Sequence, residues 1–131
     1  MGISRSGGLG KKIMKQGDIY LINLDPIIHS EIGKTRPGVI ISINAMNLHS
    51  PRLIIAPITS SIGKIYPFEI LLAGGQGVAC GLDKDSKIML DQMRSVDKRR
   101  LTRRIGMVDH ELLMKACAIA QKLINAPSAG K

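Results

Sequence analysis

Aromatic residues are scarce in this chain: tryptophan is absent, and Tyr20, Tyr66 and Phe68 are the only aromatic side chains among 131 residues. The core must therefore be built from isoleucine, leucine, valine and methionine, and the 44% apolar content is ample for that and excludes wholesale disorder. So few rings also limit stacking on several bases. The composition thus argues against a single-strand binder built on an aromatic platform.

Cysteine is scarce too. Cys80 and Cys117 lie far apart, with no Cys-x-x-Cys and no histidine at ligand spacing, which excludes a disulfide framework and predicts reduced thiols in a cytoplasmic chain. No apolar run approaches the ~20 residues that a membrane helix needs. The first residues lack the apolar stretch of a secretory signal.

Acidic residues are outnumbered by basic ones. The chain has 19 Lys and Arg against 10 Asp and Glu, a net charge of +9. This balance favours a polyanionic partner, nucleic acid first and an acidic protein second, with a merely soluble basic surface as the alternative. The length predicts one domain over residues 15–125, with a flexible basic lead-in over 1–14, a flexible tail over 126–131 and Met14 as an alternative start.

Periodicity predicts a mainly β chain with one C-terminal helix. Strands are expected over 19–24, 38–43, 53–56, 66–72, 86–96 and 105–108. Residues 112–124 carry apolar side chains at helical spacing, with Asp109 as the N-cap. Residues 26–34 and 44–52 are expected to be loops, and the glycines of 73–77 to form a turn, since neither a Lys-Ser or Lys-Thr pair nor a helix follows them. Together these elements predict a small curled antiparallel sheet or barrel.

Arg36 stands where a polar loop changes into the apolar run Val39-Ile40-Ile41. Pro37 biases Arg36 toward an extended conformation, and the unbroken apolar run is typical of a strand buried on both faces. A guanidinium on such a rigid footing suits phosphate. The alternative is an Arg that only pairs with Glu31 on the surface.

Two polar groups elsewhere have a functional and an ordinary interpretation. Three hydroxyls, those of Thr59, Ser60 and Ser61, cluster where the third strand ends, and ordinary turn capping would also explain them. Five cations lie close together: Lys98, Arg99, Arg100, Arg103 and Arg104. Such a run is usually a solvated face, but the net charge favours contact with phosphates.

Five sequence blocks occur in order: Gly17-Asp18-Ile19-Tyr20, Glu31-x-Gly33-x-x-Arg36-Pro37-Gly38-Val39, Pro57-Ile58-Thr59-Ser60, Tyr66-Pro67-Phe68-Glu69 and Asp91-Gln92-Met93-Arg94-Ser95-Val96-Asp97. Together they resemble the MazF/PemK family of toxin endoribonucleases. The resemblance covers nearly the whole predicted domain. Each block is weak alone, and their shared order and spacing make the signal specific.

The resemblance implies an SH3-like barrel of the PemK/CcdB type, acting as the homodimeric toxin of a type II toxin–antitoxin pair. It implies cleavage of single-stranded mRNA at short preferred sequences without a metal or cofactor, leaving 2′,3′-cyclic phosphate and 5′-hydroxyl ends. The implied partners are a cognate acidic, MazE-like antitoxin in the RNA groove and, together with it, operator DNA. Two alternatives stay open: a non-catalytic toxin that poisons a protein such as gyrase, and a plain RNA- or DNA-binding barrel.

Position by position, the resemblance implies catalytic roles for Arg36, Thr59 and the loop acid Glu31, with Asp91 and His29 as further candidates. His29 qualifies through its titration near neutral pH. The residues expected to bind RNA are Lys34, Ser60, Gln92, Arg94, Lys98, Arg99, Arg100, Arg103 and Arg104. Two departures from the family pattern stand out: Ile32 replaces a common Gln, and Met89 replaces a basic residue, which weakens the case for Asp91.

Overall fold

The computed structural model describes residues 13–25 and 34–127, which form seven strands and three helices. The elements are β1 (Asp18–Asn23), β2 (Thr35–Ile40), α1 (Asn44–His49), β3 (Arg52–Thr59), β4 (Glu69–Leu72), α2 (Gln76–Ala79), β5 (Ser86–Met89), β6 (Arg94–Asp97), β7 (Leu101–Met107) and α3 (His110–Leu123). Two short 3₁₀ turns, Leu90–Gln92 and Lys98–Arg100, flank β6. Most of the predicted lead-in, loop 26–33 and most of the tail lie outside the described residues.

The strands form one antiparallel sheet in the order β4-β5-β3-β2-β1-β7, and β6 pairs with β3 off this path. Long β3 therefore serves three partners: β6 along its first half, β2 in the middle and β5 at its end. The mainly β fold with a C-terminal helix is confirmed. The sheet is not closed into a barrel, since no pairing within the described part of the chain joins β4 to β7.

Both faces of the sheet are buried, as the apolar run in β2 predicts. Alternate residues point to opposite faces of a strand, so Val39 packs with Ala56 and Ile58 in one cluster, while Ile40 packs with Ile55 in a second. We call the face of Val39 the helix face, because its cluster includes Leu112 and Ala116 of α3. The opposite face, that of Ile40, is called the inner face.

Helix α3 forms as its sequence predicts. Asp109 caps it, since its Oδ1 accepts a hydrogen bond of 2.8 Å from the N–H of Leu112. Leu112 and Ala116 are buried against the helix face, and Glu111 lies in the first turn, where the helix dipole favours an acid. No helix in residues 13–25 and 34–127 is long and apolar enough to cross a membrane.

Residues 44–49 form helix α1, so the prediction of a loop over 44–52 is wrong for most of that stretch. The reason is a tertiary contact. The side chain of Asn47 is buried, where its Nδ2 donates to the carbonyl of Ser42 at 2.9 Å and its Oδ1 accepts from Ser42 Oγ at 2.5 Å. These bonds satisfy a polar group that would otherwise be costly to bury.

Several predicted boundaries are also wrong. A short helix, α2, follows the glycine turn where none was expected. The strand predicted over 86–96 is interrupted by the 3₁₀ turn Leu90–Gln92, which separates β5 from β6. Strand β4 begins at Glu69 instead of residue 66, because the N–H of Glu69 bonds to the carbonyl of Tyr66 in a turn. Strands β3 and β7 are longer than predicted, and β2 begins and ends earlier.

Candidate functional site

Strand register brings Arg36 and Thr59 toward each other. The β2–β3 pairs are Gly38 with Pro57, Val39 with Ala56 and Ile40 with Ile55. The observed pairs end at Gly38 and Pro57, and the same register continued by two residues would place Arg36 across from Thr59. Both side chains share the parity of the inner face, and directly opposed residues of an antiparallel pair are neighbours. Two residues 23 positions apart in the sequence thus lie on neighbouring strands, just beyond the last pair of one ladder.

Arg36 leaves a well-fixed backbone. It is half-buried and pairs across the sheet with Ile22 of β1, one position from the end of the five pairs that join β1 to β2. Gly38, two residues later, allows close packing there, because a Cβ on it would lie 2.6 Å from Ile22 Cδ1. The local Arg-Pro-Gly sequence therefore fits the need for an extended, tightly packed strand entrance.

Thr59 ends β3 and is buried, with 7% of its surface exposed. Its Oγ1 accepts a hydrogen bond of 3.0 Å from the N–H of Ser61. The hydroxyl of Thr59 therefore caps the turn after β3, as the ordinary interpretation predicts. The bond occupies an acceptor lone pair and leaves the hydroxyl proton of Thr59 able to donate. Ser60, next in sequence, is exposed.

A buried ion pair lies beside Thr59. Lys87 of β5 is the cross-strand partner of Thr59, and its Nζ lies 3.0 Å from Oε1 of Glu69 on β4, with only 10% and 6% of the two side chains exposed. Sequence reasoning did not place either residue in the site. The signal was present, because Lys87 interrupts an apolar strand and charged residues are rarely buried without a partner.

Asp91 lies in the 3₁₀ turn after β5, near the same charges. Asp91 is exposed, but desolvation by the surrounding chain raises the pKa of its carboxyl group, and the charge of Glu69 raises it further, whereas a backbone hydrogen bond and Lys87 oppose the shift. A carboxyl group with a raised pKa holds a proton more readily near neutral pH. Gln92, the next residue, is half-buried, and its Nε2 contacts Met89 Sδ at 3.6 Å.

Four of the predicted RNA-binding arginines make intramolecular contacts. Arg99 binds both carboxylate oxygens of Asp97, at 3.0 and 3.1 Å, and lowers the pKa of that acid to about 2. Arg104 Nε lies 3.2 Å from Oδ1 of the buried Asp18. Backbone carbonyls near the end of β1 accept hydrogen bonds from the other two, Arg94 and Arg100.

The remaining predicted contacts divide into two groups. Lys98 and Arg103 make no side-chain hydrogen bond or ion pair to another residue of the described ranges. Lys34 is exposed with φ of 62°, and its N–H donates to Asp25 Oδ1 at 2.7 Å. Glu31 and His29 lie outside the described residues. Among residues 13–25 and 34–127, no three His, Cys, Asp or Glu side chains are grouped so that they could hold a metal ion.

A family model for PemK-like, MazF-like toxins of type II toxin–antitoxin systems matches residues 15–124. The Bacillus subtilis protein named Endoribonuclease EndoA is 38% identical over 104 residues, 79% of this chain and 87% of the relative. Endoribonuclease MazF9 of Mycobacterium tuberculosis is 38% identical over 101 residues, 73% of this chain and 83% of the relative.

Solved structures agree with the fold. MazF from Deinococcus radiodurans superposes with a TM-score of 0.74 at 24% identity, covering 88% of this chain and all of that one. A mycobacterial endoribonuclease in complex with its cognate antitoxin gives a TM-score of 0.67 at 17% identity, covering 90% of this chain and 99% of its own. On the family match and the two 38% identical relatives, this chain belongs to the PemK-like, MazF-like toxins of type II toxin–antitoxin systems.

Proposed function

We propose that this toxin is a metal-independent endoribonuclease that cuts single-stranded RNA at short preferred sequences. The observation that carries the proposal is the β2–β3 register, which, continued by two residues past its last pair, would place Arg36 opposite Thr59 at one end of the inner face. A guanidinium and a hydroxyl at one site match the phosphodiester group. Relatives named endoribonucleases support the same activity.

RNA supplies its own nucleophile, the 2′-hydroxyl, which attacks the adjacent phosphorus and expels the 5′-oxygen. The products are a 2′,3′-cyclic phosphate and a 5′-hydroxyl. Arg36 stabilises the negative charge that develops on the phosphoryl oxygens, and Thr59 donates a hydrogen bond to the same oxygens. A preorganised donor of this kind commonly contributes about 10²–10³ in rate.

The base that takes the 2′-hydroxyl proton is a carboxylate, Glu31 or Asp91, with His29 as the rival. Asp91 lies next to a buried ion pair that adjoins Thr59, and its raised pKa moves it toward the range useful in general base catalysis. A raised pKa makes a carboxylate a stronger base, and also means that less of it is ionised as the pH falls.

The partners follow from charge. A net charge of +9 suits RNA and an acidic antitoxin segment alike, so we infer that the antitoxin inhibits by occupying the groove that RNA would enter. A structure of the same fold in complex with its cognate antitoxin supports an antitoxin as a partner. Homodimer formation, a cytoplasmic location and binding of operator DNA with the antitoxin stay predictions.

The test is incubation of the purified, antitoxin-free chain with a long single-stranded RNA in EDTA, followed by sequencing of the product ends. Arg36→Ala is compared with Lys115→Ala, which removes an equal charge from an exposed position on α3, the helix that covers the opposite face. We expect discrete cuts ending in cyclic phosphate, reduced about 10²-fold or more by Arg36→Ala and unchanged by Lys115→Ala.

Other outcomes identify the alternatives. RNA that is bound but not cut indicates a plain binding barrel. RNA that is neither bound nor cut by a correctly folded sample favours a toxin that acts on a protein such as gyrase. Cleavage that requires a divalent cation overturns the metal-independent mechanism.

A further inference from the structure

The ion pair between Lys87 and Glu69 is an unusual feature of the core. Both side chains are at least nine-tenths buried. Removing two charges from water costs free energy that their attraction only partly recovers, so a buried ion pair is weak as a source of stability. Its hydrogen bonds are directional, so they fix which backbone segments lie next to the pair.

Those hydrogen bonds cross-link the connection between β3 and β4, residues 60–68. Lys87 Nζ donates to the carbonyl of Lys64 at 3.1 Å as well as to Glu69 Oε1 at 3.0 Å. The same Glu69 oxygen accepts the N–H of Tyr66 at 3.0 Å. The pair thus holds two backbone positions of the connection against strands β4 and β5.

The connection begins directly after Thr59 and carries side chains suited to RNA. Tyr66 is 44% exposed, and its ring stacks on Phe68 with centroids 5.4 Å apart. Lys64 Nζ lies 5.2 Å from the centroid of the Tyr66 ring. Because Lys64 lies over the ring, a base can stack on that face where the ammonium group moves aside to bind a phosphate.

We infer that the buried Lys87–Glu69 pair is a positioning device: it fixes residues 64–66 relative to Thr59 and so determines which RNA sequence is cut and how fast. The ion pair itself does not contact RNA. Its effect on cleavage rests on the proposed function, whereas its effect on the β3–β4 connection does not. Lys87 is also the cross-strand partner of Thr59 in the β3–β5 ladder, so the residue that bonds to the connection is paired with the residue that precedes it.

The decisive variant is the double change Lys87→Met and Glu69→Gln. Methionine and glutamine keep nearly the same volumes and remove both charges together, so neither charge is left buried and unpaired. The glutamine Oε1 is a weaker acceptor for the N–H of Tyr66 than the carboxylate, because the bond is no longer charge-assisted, and the bond to the Lys64 carbonyl is lost. Lys87→Arg is the conservative control, because arginine keeps the charge and can donate to both partners.

The first readout is amide hydrogen exchange of Tyr66, followed by NMR, and it needs no RNA. We expect exchange at least about ten-fold faster in the double variant than in the wild type, with amides of α3 unchanged. An unchanged Tyr66 rate in the folded double variant overturns the inference, whether or not the protein cuts RNA.

The second readout is the map of cut sites on a long RNA, with kcat and KM on a short RNA containing the main site. We expect the double variant to lose about ten-fold in kcat/KM on the short RNA and to cut additional sequences in the long RNA. Lys87→Arg should keep the wild-type map. A double variant with the wild-type map and rate overturns the inference. If the wild type itself does not cut RNA, the proposed function fails. The exchange result still decides whether the ion pair fixes the β3–β4 connection.

Tyr66→Ala covers the case in which the double variant does not fold. Tyr66 is exposed, and alanine retains the N–H that bonds to Glu69, so the fold should persist. If the connection selects the sequence, Tyr66→Ala shifts the cut map. An unchanged map overturns the role of the connection in selecting the cut site.

Discussion

At the scale of single residues, the hydroxyl of Thr59 serves both the fold and the proposed chemistry. We expect Thr59→Val to lose about 10²–10³ in kcat/KM, because no proton remains to donate to the phosphoryl oxygens. It should also lose about 1 kcal/mol of stability, since the N–H of Ser61 loses its acceptor. Thr59→Ser keeps the hydroxyl and should keep most activity. Steady-state kinetics and urea unfolding measure both effects, and a Val variant within about three-fold of wild type would remove Thr59 from the mechanism.

The contributions of two aspartates to folding stability should change with pH in opposite directions. The pKa of Asp91 is raised mainly by desolvation, so its ionised form destabilises the folded state above that pKa, and this cost vanishes as pH falls below the unfolded value. The pKa of Asp97 is lowered to about 2, chiefly by its hydrogen bond from Arg99, so its contribution is present above the unfolded pKa and is lost as pH falls through about 2.

We therefore expect Asp91→Asn to raise Tm at pH 7 and to have little effect at about pH 3. Asp97→Asn should lower Tm at pH 7, with the difference shrinking as the pH approaches 2. Calorimetry of each variant across this range measures both effects, and each aspartate is the control for the other. If both variants changed Tm in the same direction at pH 7, the opposite pKa shifts of Asp91 and Asp97 would be contradicted.

At the scale of elements, two arginines hold the end of β1. Arg100 Nη1 donates to the carbonyl of Asn23 at 3.1 Å and to that of Asp25, and Arg94 Nη1 lies 3.4 Å from the carbonyl of Leu24. The same end of β1 pairs with the start of β2, where Asn23 lies opposite Thr35 and Ile22 opposite Arg36. These arginines thus support the strand entrance that carries Arg36.

Arg100→Met should therefore cost about 0.5–1.5 kcal/mol of unfolding free energy, because the exposed carbonyls of Asn23 and Asp25 exchange a charged donor for water. Arg103→Met removes a side chain without such contacts in the described ranges and should change stability by no more than about 0.5 kcal/mol. Urea unfolding of both variants makes the comparison. Equal losses, or none for Arg100→Met, would show that the carbonyl contacts do not hold the strand end.

Sequence alone predicted the elements that local chemistry determines. Asp109 and the apolar spacing after it specify α3, and Arg36-Pro37 marks the entrance to β2. Helix α1 was missed because its stability depends on the buried side chain of Asn47, which is a tertiary contact. The placement of Arg36 relative to Thr59 needs the β2–β3 register, and the pairing of Lys87 with Glu69 needs the β4–β5 register. The spacing of apolar residues within one strand does not determine which residues of a neighbouring strand lie opposite them.

At the scale of the whole molecule, the net charge of +9 overstates the number of cations available to RNA. Arg99 and Arg104 each face an aspartate, and Arg94 and Arg100 face backbone carbonyls. In the cluster from Lys98 to Arg104, Lys98 and Arg103 are left without a side-chain partner in the described ranges. The structure therefore separates five similar cations into supports of the fold and candidates for phosphate contact.

This separation predicts how RNA affinity depends on salt. Each phosphate contact with single-stranded RNA contributes about 0.7 to the slope of log K against log salt concentration. Lys98→Ala and Arg103→Ala should each reduce the slope by about that amount and weaken all RNA sequences alike. Arg104→Ala should leave the slope nearly unchanged and lower stability instead, because Asp18 would remain buried without its partner. Lys115→Ala on α3 is the control for a general charge effect. If all four variants reduced the slope equally, the whole charge field and not particular contacts would bind RNA, whereas a slope lowered only by Lys98→Ala and Arg103→Ala would locate the phosphate path beside β7.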